Sequence, residues 1–149
     1  MQIIEAISEE RPASRDQLVW LEQRFGARLP DDYVAFLLQH NGGRAAASAF
    51  EFSNEDGEAI RSRVDWFFGA GDDESYGLSA NIDDYDERIP AGFCPVGSDP
   101  FGNVILLCLR PEGYGSIWFW DHENEQEEPD LSNMSRVAGS FSEFLAALR

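Results

Sequence analysis

Val104-Ile105-Leu106-Leu107-Cys108-Leu109 is an unbroken apolar run, and no other stretch narrows the possible folds as much. A strand with one solvated face alternates apolar and polar side chains, so a strand without alternation must be covered on both faces. The run is also far below the roughly 20 residues needed to cross a bilayer. It therefore reads as the central strand of a sheet. Gly, Pro and Asp turns separate it from apolar segments at Phe93 to Val96 and Ser116 to Trp120, which together make an antiparallel meander.

Helices flank that meander in sequence. Ser14 and Gln17 form a capping box ahead of Leu18, Leu21 and Phe25, and Gly26 ends the helix. A second helix follows Leu29-Pro30, with Pro30 in its first turn and Asp31 and Asp32 against the positive dipole end. Its buried stripe is Tyr33, Phe36, Leu37 and His40, and Asn41-Gly42-Gly43 supplies a left-handed stop. Phe50 to Phe52 and Val64 to Phe68 read as strands, Gly69 to Gly77 as a loop, and Ala80 to Arg88 as a short helix turning Ile82, Tyr85 and Ile89 inward. Ser140 and Glu143 form a capping box for a last helix carrying Phe141, Phe144, Leu145 and Leu148. No repeat or long linker appears. The order predicts an α+β fold over residues 1–149 as one domain, with a mostly antiparallel sheet on which two N-terminal helices and a C-terminal helix pack.

Charge then limits the partners. The 149 residues carry 28 acids against 11 basic side chains, a formal charge of −17, and every basic residue is Arg. Nucleic-acid binding relies on cations that displace counterions, so this surface disfavours it, and anionic membranes for the same reason. No lysine is available for Schiff-base chemistry. The N-terminus lacks the basic and long apolar stretches of a signal peptide, and two cysteines cannot make a disulfide framework, so a cytoplasmic location is expected.

Catalytic patterns do not emerge. The chain has no G-x-x-x-x-G-K-[ST], no G-x-S-x-G and no H-E-x-x-H. His40 lies on a buried helical stripe, and His122 sits between Asp121 and Glu123 at a strand end, which reads as a solvated terminus. His40, His122, Cys94 and Cys108 lack zinc-ligand spacing, and Asp83-Asp84-Tyr85-Asp86-Glu87 lacks the alternation and glycine of a calcium loop. Neither an enzyme nor a cofactor is expected. A turn centred near Pro100 and Phe101 would bring Cys94 and Cys108 close to opposite one another, as free thiols.

Two features remain. Asp72, Asp73, Glu74, Asp83, Asp84, Asp86 and Glu87 fall in one segment without Arg, and Asp121, Glu123, Glu125, Glu127, Glu128 and Asp130 in another. Such blocks repel themselves; they are either two solvated loops or a surface kept negative for a positive partner. In Ile117-Trp118-Phe119-Trp120, alternation sends Trp118 and Trp120 to one face, to be covered by another segment of the chain or by a partner.

Taken together, Leu21-Glu22, Phe25-Gly26, Leu29 to Tyr33, Phe36-Leu37 and Asn41-Gly42-Gly43 resemble the SUKH superfamily. Ile89-Pro90, Pro95 to Asp99, Gly102-Asn103, Trp120 to Glu123 and Ala138 to Leu145 continue the likeness in the same order, while residues 44–80 do not share it. That group includes yeast cell-wall assembly regulators and many bacterial immunity proteins. The resemblance implies an α+β binding domain without catalytic residues, whose matched positions are mostly scaffold. In bacteria it implies an immunity protein that neutralises a cognate protein toxin, here a basic one such as a nuclease domain; the other reading is an intracellular scaffold or regulator of cell-wall assembly. The candidate contact residues are the acids Asp72 to Glu87, then Asp121, Glu123 and Glu125, with Trp118 and Trp120.

Overall fold

A computed structural model describes residues 1–7 and 11–149. Its elements run β1 (Ile3–Glu5), α1 (Arg15–Phe25), α2 (Asp31–Gln39), β2 (Arg44–Ala45), β3 (Ala49–Ser53), β4 (Ala59–Arg63) and β5 (Trp66–Phe67). Then come α3 (Leu78–Asp84), β6 (Phe93–Ser98), β7 (Val104–Cys108), β8 (Ile117–Trp120), a single 3₁₀ turn at His122–Asn124, β9 (Met134–Ala138) and α4 (Phe141–Ala147). The fold is α+β. Five strands form one antiparallel sheet in the order β5-β6-β7-β8-β9, with two further antiparallel pairs: β1-β2, whose strands are separated by α1 and α2, and the hairpin β3-β4.

The apolar run is the middle strand, buried along its whole length. Ile105 and Leu107 point into a core shared with Tyr33, Phe36, Phe141 and Phe144 of the helices. Val104, Leu106 and Cys108 point to the other face, beside Ile89, Phe93, Trp120 and Met134. The helices cover one face, and the segment between α3 and β6 lies on the second.

Local signals place the helix ends. The Ser14 Oγ accepts from the Gln17 N–H at 3.1 Å, the Gln17 Oε1 accepts from the Ser14 N–H at 2.9 Å, and Gly26 takes φ +61°. Pro30 stands at the cap of α2 rather than within its first turn. Asp32 reaches beyond the dipole end of its own helix, accepting from both the N–H and the hydroxyl of Ser142 and so pinning α2 to the start of α4. At α4 the reciprocal capping bond shifts by one residue, since Glu143 accepts from the Gly139 N–H instead of that of Ser140.

The third helix starts earlier and stops sooner than its apolar spacing predicts. Asn81 donates back to the carbonyls of Ser75 and Gly77, fixing its start, while Asp83 to Glu87 gather acids where a helix dipole is negative. Residues 85–89 unwind and are free to lie on the sheet.

The cysteines differ from expectation. Val96 is an extra residue between Pro95, which faces Leu106, and Gly97, which faces Ile105. Cys94 therefore pairs with Leu107 and Phe93 with Cys108. An offset of one residue puts the two thiols on opposite faces of the sheet, in the two separate cores. Both are free and buried, and burial pushes the Cys94 thiol well above its ordinary range. Thiol titration should find no reactive group in the folded protein and two after denaturation without reductant. Two fast-reacting thiols in the folded state would contradict this register.

Candidate partner-binding surface

The acidic segments divide when folded. Asp72 and Asp73 line a groove with Arg11, Pro12, Asn41 and Gly69. Asp73 accepts from the N–H groups of Ser75 and Tyr76 at 2.9 and 2.8 Å, so it shapes its own loop, while Asp72 and Glu74 are exposed. Tyr76 stacks on Trp66 with ring centroids 4.0 Å apart, anchoring that loop to the edge strand.

The end of the first acidic segment is tied to the second through an arginine. Arg88 donates from Nε and Nη2 to the two oxygens of Glu125 at 2.9 and 3.0 Å, joining the end of one acidic segment to the other. Its guanidinium lies 4.9 Å over the Tyr85 ring and 5.3 Å over that of Trp120. Hydrogen bonds from Arg88 hold the Glu125 carboxyl below its ordinary value, and burial raises the Tyr85 hydroxyl. Asp86 pairs with Arg24 of α1. Asp121 accepts from the Glu123 N–H and the Asn124 amide and so builds the 3₁₀ turn. Among the described residues, the exposed side chains of Asp83, Asp84, Glu87 and Glu123 have no hydrogen bond or ion pair, and neither do Asp72 and Glu74.

The aromatic face needs correcting. Trp120 is fully buried and cannot contact a partner directly: Tyr85 meets its ring edge-to-face at 5.7 Å and Arg88 caps it. A stripe that needed a cover receives it from the unwound segment after α3. Trp118 is half-buried, donates its indole N–H to the Ser116 Oγ at 2.9 Å and meets Phe93 edge-to-face at 5.9 Å, leaving only a margin exposed.

His122 is more than a solvated strand end. Its backbone N–H donates to the Asn103 Oδ1 at 3.1 Å, and its ring Nδ1 lies 2.7 Å from the same oxygen. Asn103 in turn binds Asp99, a buried carboxylate in the turn between β6 and β7. At the apex of that turn stands Phe101, 63% exposed, which the sequence reading passed over. The available signal was an aromatic in Asp99-Pro100-Phe101-Gly102, where turns usually place small or polar residues. Among the described residues no group of three His, Cys, Asp or Glu side chains converges to hold a metal, and no helix is long and apolar enough to cross a membrane.

The sequence has recognisable relatives. An uncharacterised protein of the SPbeta prophage of Bacillus subtilis (strain 168), YokK, is 31% identical over 154 aligned positions, which cover 91% of this chain and 74% of that protein. The profile of the SMI1 / KNR4 family (SUKH-1) matches residues 12–147, from just before α1 to the end of α4, leaving out β1. The chain belongs to the SMI1 / KNR4 family (SUKH-1).

Proposed function

We propose that this chain is a bacterial immunity protein of the cytoplasm, which binds a cognate toxin domain and blocks it without catalysing a reaction. The observation that carries the proposal is the set of exposed, unpaired carboxylates at Asp83, Asp84, Glu87 and Glu123, on two segments joined through Arg88 and Glu125. Unpaired like charges held close together cost stability, and a cationic partner relieves that cost. Membership of the SUKH-1 family supports the immunity role, since the superfamily includes many immunity proteins. The partner is a basic protein. A nuclease domain fits, because its own substrate demands a cationic surface that an acidic inhibitor can occupy.

Two measurements test the reading. The toxin domain encoded beside this gene should arrest growth when expressed alone and should not when this chain is co-expressed. In surface plasmon resonance at about 50 mM salt, neutralising Asp83, Asp84, Glu87 and Glu123 together should slow association by about tenfold and change dissociation little, since rim charges act on encounter. A set of equal charge change at Glu5, Glu9, Glu10 and Asp16 should do much less; Glu9 and Glu10 lie outside the described residues. Raising salt to about 500 mM should mimic the first set, because the screening length falls from about 14 Å to about 4 Å. Equal slowing by both sets would reduce the effect to net charge. Failure of co-expression to protect would favour the regulator or scaffold role instead.

A further inference from the structure

We propose that Phe101 is the apolar anchor of the partner contact, inserting into an apolar pocket with a cationic rim on a basic protein. The basic character of the occupant rests on the proposed function, whereas the anchor rests on the geometry of one turn. Phe101 is 63% exposed, the most exposed of the chain's large hydrophobic side chains. A phenyl ring at a turn apex gains nothing for the fold from that position.

The turn beneath it is built to hold still. Asp99 is only 5% exposed, and one of its oxygens accepts from the N–H groups of Phe101 and Asn103 at 2.9 and 2.8 Å. The other accepts from the Asn103 amide and the Ser62 hydroxyl, both at 2.9 Å, which ties the turn to β4. Asn103 then ties it to His122 beyond β8. Gly102 takes φ +93°, and the His122 ring lies 3.1–3.3 Å from where a Cβ would stand, so the turn is also packed from one side. Bonds within the turn and two separate elements, β4 and the 3₁₀ turn after β8, thus fix the backbone that presents one exposed ring. An aromatic held in place before binding loses little freedom on docking, which is the property of an interface anchor. Tyr114, also exposed, instead spends its hydroxyl on the Arg28 carbonyl.

Charge selects the occupant. His122 packs on the turn, and its neighbours Asp121 and Glu123 are acidic. Asp121 also shares a groove with Glu55 and Asp56 of the β3-β4 turn. This setting repels a nucleic-acid backbone, an anionic bilayer and a second copy of this chain alike, and it suits a ring of Arg and Lys around an apolar pocket.

The test places p-benzoyl-phenylalanine at position 101 of the full chain, expressed in its native host and irradiated. The expected adduct is a different protein with an isoelectric point above about 9, identified by mass spectrometry and then purified as the probe. Phe101→Ala should weaken binding of that protein about 30-fold, mainly through faster dissociation, with an unchanged melting temperature because the side chain is exposed. Phe101→Trp should retain most of the affinity. Adducts only with a second copy, with nucleic acid or with an acidic protein, no adduct at all, or a Phe101→Ala effect within twofold would each overturn the anchor. A basic partner that weakens on Phe101→Ala but does not arrest growth when expressed alone would sink the immunity role and leave the anchor standing. Protection from a toxin that Phe101→Ala leaves intact would do the reverse.

Discussion

Gly42→Val is expected to destabilise the protein by about 4 kcal/mol or more, enough to remove most of the stability of a typical domain. Gly42 takes φ +84°, where a β-branched residue is strained whatever the space. There is also no space. A Cβ would stand 2.7 Å from the Gly69 nitrogen and 2.8 Å from both the Phe67 carbonyl oxygen and the Phe68 carbonyl carbon. All three are backbone atoms, so no side chain can swing aside. The neighbouring bonds show why the chains come so close: Gly43 and Phe67 exchange two backbone hydrogen bonds at 2.9 Å, and Asn41 donates to the Arg11 carbonyl while accepting from the Ala70 N–H. Asn41-Gly42-Gly43 is therefore a seam that sews the end of α2 to the edge strand β5, besides being a helix stop. Gly26 isolates the conformational part, since it has φ +61° but nothing within 4 Å of a Cβ. Gly26→Ala should cost about 1 kcal/mol. Urea unfolding followed by far-ultraviolet circular dichroism compares the two, and near-equal midpoints would show that the close approach at Gly42 carries no energy.

The same seam shows what was legible in the sequence and what was not. Elements with a terminal chemical mark were readable: Ser14 and Gly26 bound α1, Ser140 starts α4, and the apolar run marks β7. Short strands whose alternation includes Ser and Arg were not. Ala59–Arg63 and Met134–Ala138 alternate only weakly, and their pairing depends on Phe50, Phe52 and Phe119 meeting across elements. Register was hidden too, because the bulge at Val96 depends on how Pro95, which has no N–H, sits in its ladder. For the candidate surface, a count of acids was enough to find the two segments. It could not show that Arg88, one residue past the first segment, would pair with Glu125 in the second. Nor could alternation alone say whether Trp118 and Trp120 meet solvent, since that depends on where the unwound segment after α3 comes to rest.

That last point yields a second large effect. Trp120→Ala is expected to cost about 3–5 kcal/mol, the range for truncating a fully buried large aromatic. Trp120 pairs with Val104 across β7 and with Met134 across β9, and its ring is closed in by Tyr85 and Arg88. Its indole nitrogen is buried with no hydrogen-bond partner among the described residues, so the ring acts through packing and through its face beneath the Arg88 guanidinium. Trp120→Phe should accordingly cost much less, about 1–2 kcal/mol, because no hydrogen bond is lost and only volume changes. Trp118→Ala should fall near the lower figure, since that side chain is half-exposed and keeps only the Phe93 edge and the Ser116 bond. Unfolding midpoints in urea order the three variants, and a Trp120→Ala as stable as Trp118→Ala would mean that the Tyr85–Ile89 segment does not seal this face. The order also governs how binding data should be read. Arg88 rests on the Trp120 ring while it holds Glu125, so removing the ring loosens the link between the acidic segments. Weaker partner binding by Trp120→Ala would then report lost support beneath the surface, whereas the same loss from Trp118→Ala, with the fold intact, would place the partner over the margin of the sheet.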